Sequence, residues 1–465
     1  MNLFTQLNYK IDKPIKLIQL FAGYGSQALA LKYLNVPFID HKICEWAVPS
    51  IQAYKDLHFP TDNNDYSVGV GLVEALYNYG ISMDYNTPMT KDQIKRKGVE
   101  WCKRVYNNII ATHNLVNICN VKGSDLEIDN EHCNIITYSF PCQDLSLAGK
   151  LAGLGEGTRS GLLWEVGRLL NECVIKPDIL IMENVPQVHN QTNIEDFNKW
   201  CDMLADMGYV NFWKDLNAKN YGIPQNRNRT FMVSIYSPNE YVNYDFPEGK
   251  PLALKLKDLL EGNVDEKYYL SIKQIEEITQ WNAYQKPLET MERIDEENVS
   301  PTLTTRSGAY AAGMILVKNN TQQGYLLAED GDGVDISSRM EHHRGTVQKG
   351  MAQTLLTDGR QGVVVHPNYI QWEQKGLHKS DTRAWFGNKF SGTLTTKGGE
   401  QKKVCEDLSN LRIRKLTPRE CGRLMGVRDE DIDKIMKNQS NSKAYHLFGD
   451  SIVVDVLMAI FKELI

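Results

Sequence analysis

The feature that most constrains the fold is a set of short, almost uninterrupted apolar runs in the first half of the chain. They lie at residues 15–20, 134–140, 178–184 and 229–235. Strands that are apolar on both faces are typical of a parallel sheet covered by helices on both sides. The stretch "GLLWEVGRLLNECV", between two of these runs, predicts a crossover helix. The pattern predicts a doubly wound α/β domain, which binds ligands at the carboxyl ends of its strands.

The chain divides into three predicted segments. Residues 1–250 form the α/β domain, interrupted at 55–118 by a polar insertion with a helix around "KDQIKRKGVEWCKRVYNNIIATH". Residues 251–410 are rich in Gly, Thr and Gln and predict a smaller, mostly β and irregular domain. Residues 411–465 end in "SKAYHLFGDSIVVDVLMAIFKELI", read as one amphipathic helix whose apolar face needs the first domain as its partner.

Composition excludes several classes of protein. Nine cysteines without a CxxC pair argue against a disulfide framework and a zinc site, and favour a reducing cytoplasm. No signal peptide is evident, and the apolar run "SIVVDVLMAIF" contains Asp455 and is too short to span a membrane. We therefore expect no metal and no membrane association. The net charge of −6 does not indicate a nucleic-acid binder, although residues 402–428 are locally basic.

A glycine-rich turn follows the first predicted strand. In "LFAGYGSQALAL" Gly23, Gly25 and Ala28 have the GxGxxA spacing, which lets a backbone approach a ligand at a helix N-terminus. Glu45 closes the second strand, where an acid suits a pair of ribose hydroxyls. The combination predicts an adenosine-containing cofactor, and NAD, FAD and S-adenosylmethionine all remain open. The alternative is a plain tight turn.

Reactive side chains follow the next strands. Cys142, in "SFPCQ", comes after a strand and before a glycine-rich segment, and Glu183, in "MENV", ends the neighbouring strand and could act as an acid. Gln225, Arg227 and Arg229 alternate in "QNRNR" and are expected on one face, where guanidinium groups suit an anionic or carbonyl-bearing ligand. Taken alone, a buried cysteine is more often inert and such an edge is more often merely solvated.

The ordered set "FAGYG", "EW", "PCQ", "ENV", "QNRNR", "RECGRLMG" and "GDSIVV" resembles the DNA (cytosine-5) methyltransferase family. The resemblance covers about residues 15–250 and 411–465. It implies a Rossmann-like, S-adenosylmethionine-dependent methyltransferase domain, and it makes 251–410 the target-recognition domain. It also implies double-stranded DNA as the substrate, with the target cytosine flipped out of the helix.

The resemblance assigns catalytic roles by motif. Cytosine C5 is a poor nucleophile, and a thiolate that adds to C6 turns the ring into an enamine-like species able to attack a methyl group. Cys142 would be that nucleophile, and Glu183 would hold N3 and the exocyclic amine. Arg229 would hold the base carbonyl or a neighbouring phosphate, and Arg227 would support the catalytic loop or Glu183. Residues 143–160 would form a loop that closes over DNA, with Gln143 and Ser146 near its backbone.

The resemblance also assigns the cofactor site. Glu45 would bind the ribose hydroxyls, Trp46 would stack on adenine, and Ser451 would return to the methionine end. The remaining implied contacts are Phe21, Gly23, Gly25, Asp125 and Leu162. The chain departs from the family at Asp450, where Asn is more common, at Ser26, and in the length of its insertion.

The second domain contains a weak repeat. "SPTLTTRSG", "AQTLLTDGRQG" and "SGTLTTKGG" share a Thr-Leu pair, a second Thr, a basic residue and Gly. We expect their basic residues, Arg306, Arg360 and Lys397, to face DNA, against the alternative of ordinary hairpin turns. We further expect a monomer that works beside a cognate restriction endonuclease. The alternatives are an RNA cytosine-5 methyltransferase, a non-catalytic DNA-binding relative and, more distantly, a nicotinamide dehydrogenase.

Overall fold

The computed structural model describes residues 8–141, 161–271, 274–275, 315–322, 324–336, 345–365 and 412–465. These residues belong to two compact units, each considered by itself. The first unit comprises Met1–Leu254, Thr354–Gly359 and Pro418–Ile465, and the second comprises Lys255–Gln353 and Arg360–Thr417. The first unit thus receives two later segments of the chain, the short 354–359 stretch and the C-terminal region.

The first unit is built on a six-stranded sheet. Its strands, with the two-residue strand β6 that lies outside this sheet, are β1 Ile15–Leu20, β2 Phe38–Cys44, β3 Cys133–Tyr138, β4 Ile179–Asn184, β5 Tyr209–Asn217, β6 Gln225–Asn226 and β7 Asn228–Tyr236. The order across the sheet is β2-β1-β3-β4-β7-β5. Strands β1, β3 and β4 are buried along their whole length, as their continuous apolar runs predict.

The prediction that residues 229–235 join a parallel sheet was wrong. Strand β7 runs antiparallel to both β4 and β5, whereas β2, β1, β3 and β4 are parallel. An apolar run indicates that a strand is buried on both faces, but it does not indicate the direction of the strand. The sequence pattern therefore could not distinguish a parallel from an antiparallel β7. The direction matters, because it brings the start of β7 to the carboxyl end of β4.

The order of the strands reverses beside β1. The chain passes from β1 outward to β2 and then returns to pair β3 on the other side of β1. Such a reversal leaves a crevice outside the carboxyl ends of the two inner strands, where open α/β sheets bind their ligands. The crevice here lies beyond Leu20 and Tyr138, which are paired in register.

Helices cover both faces of the sheet and surround one main core. The helices are α1 Ser26–Tyr33, α2 Val48–His58, α3 Leu72–Tyr79, α4 Lys91–Arg96, α5 Val99–Ala111, α6 Leu162–Glu172, α7 Ile194–Asp206, α8 Pro418–Leu424, α9 Asp429–Met436, α10 Asn441–Asp450 and α11 Val454–Leu464. Short 3₁₀ turns occupy Ile118–Asn120, Gly123–Leu126, Pro186–His189 and Ala218–Tyr221. The predicted crossover helix is α6, and its buried residues join the core with those of β3, β4 and α7.

The insertion folds as a small helical layer with its own core. Leu76, Ile94 and Ile109 come from its three helices and are fully buried. The single helix predicted around 91–113 is two helices, α4 and α5, because Gly98 adopts a left-handed φ of 85° between them. The insertion therefore packs as an ordered layer beyond the end of β2.

The C-terminal region also forms two helices where one was expected. Residues Ser451–Val453 separate α10 from α11. The combined stretch Asn441–Leu464 is long and apolar enough to span a membrane by composition, but 67% of its most apolar part is buried inside the protein. Its buried face, including Leu457, Ile460 and Phe461, packs against α1, as the amphipathic pattern predicted.

The described part of the second unit is mostly β. Its strands are β8 Ile315–Lys318, β9 Tyr325–Ala328, β10 Gly333–Asp335, β11 Val347–Gln348, β12 Ala352–Gln353, β13 Gln361–Val365 and β14 Arg412–Lys415, with 3₁₀ turns at Leu256–Leu259 and Glu266–Tyr268. Four of them form an antiparallel sheet in the order β11-β10-β13-β14, and β8 pairs with β9. A small apolar core, which includes Val317, Val364 and Ile413, lies between these strands.

Substitution of Trp200 tests whether the core of the first unit lies where the structure places it. This α7 side chain is fully buried, and its indole N–H donates to the Tyr138 hydroxyl at 3.2 Å. We expect Trp200→Ala to lower the free energy of unfolding by about 3–5 kcal/mol, because it leaves a large cavity. Trp213 on β5 is 44% exposed, so Trp213→Ala should cost only about 1 kcal/mol. Equal losses in chemical denaturation would contradict this placement of the core.

Candidate active site and cofactor cleft

The carboxyl ends of four strands are aligned by their register. Leu20 pairs with both Cys44 and Tyr138, and Tyr138 pairs with Met182. The residues that follow these positions therefore emerge along one edge, with Phe21 at its centre. Glu45 and Glu183 lie at opposite ends of this edge, three strand spacings or about 14 Å apart. That span has room for a ligand on each side of the crevice.

The glycine turn after β1 is sharply bent. Phe21, Gly23 and Gly25 all have left-handed φ values, of 59°, 57° and 84°. Glycine adopts this conformation without strain, whereas Phe21 does so at a cost that the surrounding structure must offset. A Cβ atom at Gly23 would meet little, with the Ser451 hydroxyl oxygen at 3.7 Å. Gly23 thus leaves open space at the centre of the crevice, beside the returning C-terminal segment.

Gly25 is required for packing. A Cβ atom there would come within 2.5 Å of His58 Nε2 and 2.6 Å of a Tyr54 ring carbon. Its predicted role was to let a ligand approach, but the close neighbours are side chains of α2. His58 also lies with Nε2 3.0 Å from the Tyr24 carbonyl oxygen, which fixes the turn against this helix.

Glu45 is held by the turn that it faces. Its Oε2 accepts the Gly23 N–H at 2.9 Å and its Oε1 accepts the Ala47 N–H at 2.7 Å. Burial raises the pKa of the Glu45 carboxyl to about 7, although these two hydrogen bonds oppose the shift. Each oxygen keeps a further lone pair, so the carboxylate can also accept hydrogen bonds from a pair of hydroxyls.

Asn114, at the end of the insertion, fixes the backbone of Glu45. Its side-chain oxygen accepts the Glu45 N–H at 3.1 Å, and its amide nitrogen donates to the Glu45 carbonyl at 2.9 Å. These two hydrogen bonds hold the Glu45 backbone in the way that a neighbouring strand would. Sequence reasoning missed Asn114, since nothing in its local pattern links it to a residue 69 positions earlier.

Glu183 forms an ion pair with Arg229 at the other end of the edge. Glu183 is buried, and Arg229 Nε lies 3.1 Å from its Oε1. The antiparallel direction of β7 makes this contact possible, because a parallel β7 would start at the opposite edge, about 20 Å away. The guanidinium also donates to the Asn228 carbonyl at 2.8 Å, which restricts its orientation.

Asn184 anchors the segment that leads to Cys142. Its side-chain amide donates to the Phe140 carbonyl at 3.0 Å, and its oxygen accepts the Val185 N–H at 2.8 Å. Phe140 itself is buried at the end of β3. Cys142, Gln143 and Ser146 lie outside the described residues, two or more positions beyond this anchor. Asn184 was not predicted as a site residue, although it adjoins Glu183 in the quoted motif.

Arg227 binds the C-terminal segment. Its buried guanidinium donates to the carbonyls of Leu355 at 3.3 Å, Gly449 at 3.0 Å and Ser451 at 2.7 Å. These contacts differ from its predicted support of the catalytic loop or Glu183. Gln225 acts in the same way: it donates to the Leu424 carbonyl at 2.7 Å and accepts the Leu355 N–H at 3.2 Å.

The alternation of Gln225, Arg227 and Arg229 therefore does not give them one shared task. Gln225 and Arg227 are buried and hold the chain together, whereas Arg229 reaches Glu183. The register of a continuous strand fails here because β6 ends at Asn226 and β7 begins at Asn228.

The remaining predicted cofactor residues occupy distinct positions around the crevice. Trp46 follows Glu45 and packs on the core of the insertion, while Phe21 and Leu162 pack on the main core. Asp125 is exposed, and its Oδ2 accepts the Lys122 N–H at 2.8 Å. Ser451 meets the turn at Gly23.

The predicted DNA contacts of the second domain are only partly described. Arg360 is exposed and directly precedes β13, after Gly359 with a left-handed φ of 66°. Arg306 and Lys397 lie outside the described residues. Within the described ranges, no group of three or more His, Cys, Asp or Glu side chains could hold a metal ion.

Comparison with known proteins gives concordant matches. Residues 80–465 match the family described as C-5 cytosine-specific DNA methylase. The chain is 30% identical over 456 residues to the type II methyltransferase M2.ScrFI of Lactococcus lactis subsp. cremoris, covering 97% of this chain and 99% of the relative. It is 35% identical over 268 residues to the orphan methyltransferase M.SssI of Spiroplasma monobiae, covering 56% and 68%.

A solved structure shares the fold. The Entamoeba histolytica methyltransferase EhMeth superposes with a TM-score of 0.51 at 13% identity, covering 97% of this chain and 98% of that one. The family match spans most of the chain, and the Lactococcus relative is similar from end to end. The chain therefore belongs to the C-5 cytosine-specific DNA methylase family.

Proposed function

We propose that this DNA cytosine-5 methyltransferase carries out its family's reaction, the transfer of a methyl group from S-adenosylmethionine to cytosine C5, through Cys142, Glu183 and Arg229. The observation that carries the proposal is the ion pair of the buried Glu183 with Arg229, at the edge to which β3 delivers the segment before Cys142. The cytosine would lie there, flipped out of the duplex, because its C6 atom is out of reach inside the helix.

Cys142, Glu183 and Arg229 would each have a separate role toward the base. The Cys142 thiolate would add to C6 and make C5 nucleophilic; after C5 has taken the methyl group, loss of the C5 proton and departure of the thiolate would restore the C5–C6 double bond. Glu183 would hold N3 and the exocyclic amine as electron density moves toward N3. Arg229 keeps the Glu183 carboxylate in place through its 3.1 Å contact, and its remaining donors would reach the base carbonyl or a neighbouring phosphate.

The crevice fits S-adenosylmethionine on the evidence of its own residues. Gly23 leaves space for a ligand, and Glu45 presents a carboxylate fixed on both sides. Glu45 would accept the ribose hydroxyls, while Phe21, Trp46, Asp125 and Leu162 would contact the adenine side and Ser451 the methionine end. Gly25 would act indirectly, by seating the turn against α2. When bound, the cofactor supplies an electrophilic methyl group.

The second unit would select the target sequence. We propose that residues 251–410 read double-stranded DNA through Arg306, Arg360 and Lys397, and that Gln143 and Ser146 contact the DNA backbone. The exposure of Arg360 beside a glycine supports this. We also propose a monomer located in the cytoplasm and paired with a cognate restriction endonuclease, in keeping with the type II name of the Lactococcus relative.

The retained chemistry argues against a non-catalytic relative. A DNA-binding descendant would have no reason to keep a buried carboxylate and a guanidinium paired at 3.1 Å beside the cysteine segment. Bisulfite sequencing of DNA from cells that express the chain tests the function directly. Sequence-specific 5-methylcytosine is expected. Its absence from the DNA of cells that contain the folded protein would contradict the proposal.

Covalent catalysis predicts a trapped complex. DNA with 5-fluorocytosine at the target should form a denaturant-stable adduct, because fluorine cannot leave as a proton does. Cys142→Ser should abolish both the adduct and methyl transfer and retain DNA binding. The matched control is Cys119→Ser, which changes an exposed cysteine and should leave the adduct intact. An active Cys142→Ser enzyme would refute the nucleophile.

Removal of the Glu183 charge should affect chemistry more than binding. We expect Glu183→Gln to lower single-turnover methylation by about 10²–10⁴-fold, the usual contribution of an acid–base group. Cofactor affinity should stay unchanged, since Glu183 lies at the base end of the edge. Glu195→Gln, at an exposed acid of α7, serves as the control and should keep full activity. Loss of cofactor affinity with normal turnover would place Glu183 outside the base pocket.

Glu45 should make cofactor binding dependent on pH. Ribose hydroxyls stabilise the ionised carboxylate, so binding lowers a pKa that burial raises to about 7 in the free protein. Affinity should then rise with pH below 7, by up to about tenfold per pH unit, and level off above it. Glu45→Ala should weaken binding by about 1–3 kcal/mol at pH 8.

Calorimetry without DNA, between pH 6 and pH 8, measures this dependence. Glu45→Gln is the control for ionisation, because it keeps the size of the side chain and should flatten the pH profile. If Glu45→Gln retains the whole profile, the titrating group is not Glu45.

A further inference from the structure

Asp450 is an acid at the end of α10, directly before Ser451. We propose that Asp450 is a specificity-determining residue, whose carboxylate faces the sulfonium of S-adenosylmethionine and makes the enzyme prefer this cation to its uncharged thioether product, S-adenosylhomocysteine. The inference rests on the proposed cofactor site and adds a property that the site residues do not supply. The two ligands share the adenosine and amino-acid parts and differ by one methyl group and one positive charge at sulfur.

The backbone around Asp450 is fixed at the crevice. Arg227 binds the carbonyls of both neighbours, Gly449 at 3.0 Å and Ser451 at 2.7 Å. The Ser451 hydroxyl in turn lies 3.7 Å from the place where a Cβ atom on Gly23 would be. Asp450 is therefore held next to the glycine turn and has little freedom to move away from it.

The Asp450 side chain faces an open cleft between charged groups. It is 56% exposed to water, yet surrounding protein desolvates it enough to raise the pKa of its carboxyl. Partial exposure together with a raised pKa is expected for a side chain on a concave surface. Its charge raises the pKa of Glu45, and the guanidiniums of Arg227 and Arg229 lower the pKa of Asp450 itself. Asp450 thus lies within electrostatic reach of both the ribose acid and the base pocket.

The methyl group must pass from the ribose end of the crevice to the base pocket. The ribose end is marked by Glu45 and the base end by Arg229 with Glu183, so the sulfonium has to lie between them. An anion placed there stabilises the cationic ligand and does little for the neutral product. An asparagine at the same position would offer both ligands the same dipole.

The helical insertion positions this acid through a histidine. His446 Nδ1 lies 3.1 Å from Asp450 Oδ2, one helical turn away on α10. The His446 ring stacks on Tyr85 of the insertion, with ring centroids 3.7 Å apart and planes at 12°. Lys443 ties the same helix to the insertion by donating to the Met83 carbonyl at 2.8 Å. Tyr85 and His446 are positioning residues in this arrangement.

His446 adds little positive charge beside Asp450. Burial lowers the pKa of His446, more than the nearby carboxylate raises it. A lowered pKa favours the neutral ring, which lies against the Asp450 carboxylate and restricts its position by contact. The insertion, which has no role in the motif pattern, thereby acts on the cofactor through Tyr85 and α10.

The test compares two ligands on the full chain by calorimetry. For unit charges about 6 Å apart in a partly wet cleft, Coulomb's law gives a preference of about tenfold. Asp450→Asn keeps the shape of the side chain and should lower the affinity ratio of S-adenosylmethionine to S-adenosylhomocysteine by that factor, through weaker binding of the cation. A cofactor analogue with a protonated amine in place of the methylsulfonium should follow S-adenosylmethionine, which separates charge from methyl volume.

Matched variants decide between the outcomes. Glu430→Gln removes one negative charge from an exposed position and should leave the ratio unchanged. Glu45→Ala should weaken both ligands equally, because both carry the ribose. If Glu45→Ala affects neither ligand, the cofactor site itself is wrong and the inference fails with it. If Glu45→Ala behaves as expected but Asp450→Asn leaves the ratio unchanged, the site stands and the role of Asp450 is overturned.

A double-mutant cycle tests the positioning residues. His446→Ala should lower the ligand ratio in the same direction as Asp450→Asn, and the double variant should lower it no further than Asp450→Asn alone. A purely structural role of His446 would lower thermal stability and leave the ratio of the two affinities unchanged, which would contradict positioning.

Discussion

The arrangement of the site depends on one buried cation. Arg227 joins three parts of the chain that are far apart in sequence: the start of β7, the 354–359 stretch and the C-terminal Gly449–Ser451 segment. A buried guanidinium must satisfy its donors, and carbonyl oxygens that lose such a donor stay desolvated without a partner. Arg227 is thus coupled to every residue that the C-terminal segment presents, including Ser451 and Asp450. We propose that its contribution to the reaction is indirect, through the position of that segment.

A second constraint is the direction of β7. Three parallel strands deliver Phe21, Glu45 and the segment before Cys142 to one edge, and β4 delivers Glu183. Only an antiparallel strand can begin at that same edge, and β7 does so with Arg229 beside Glu183. The exception to the parallel pattern therefore completes the Glu183–Arg229 ion pair at this edge. Local strand propensity is the same in either direction, so the ion pair is a consequence of topology.

The sequence predicted much of the fold and part of the site. Continuous apolar runs located β1, β3 and β4, and the GxGxxA spacing located a turn that does have left-handed residues. The sequence pattern could not predict contacts between residues that are far apart in the chain. Gly25 packs on His58 and Tyr54, Asn114 holds Glu45, and Arg227 binds carbonyl groups more than 120 positions away. These contacts join residues through space, and a linear pattern contains only the residues that are near in sequence.

The insertion shows how such a long-range contact can change chemistry. Its helices bury a core of their own, so it could exist for packing alone. Among its contacts with the rest of the first unit, Asn114 hydrogen-bonds the Glu45 backbone and Tyr85 stacks on His446. These contacts lie beside Glu45 and, through His446, beside Asp450, the two acids that we propose to face the cofactor. A preorganised carboxylate costs less to orient when the ligand arrives, so we propose that the insertion increases cofactor affinity without contacting the cofactor itself.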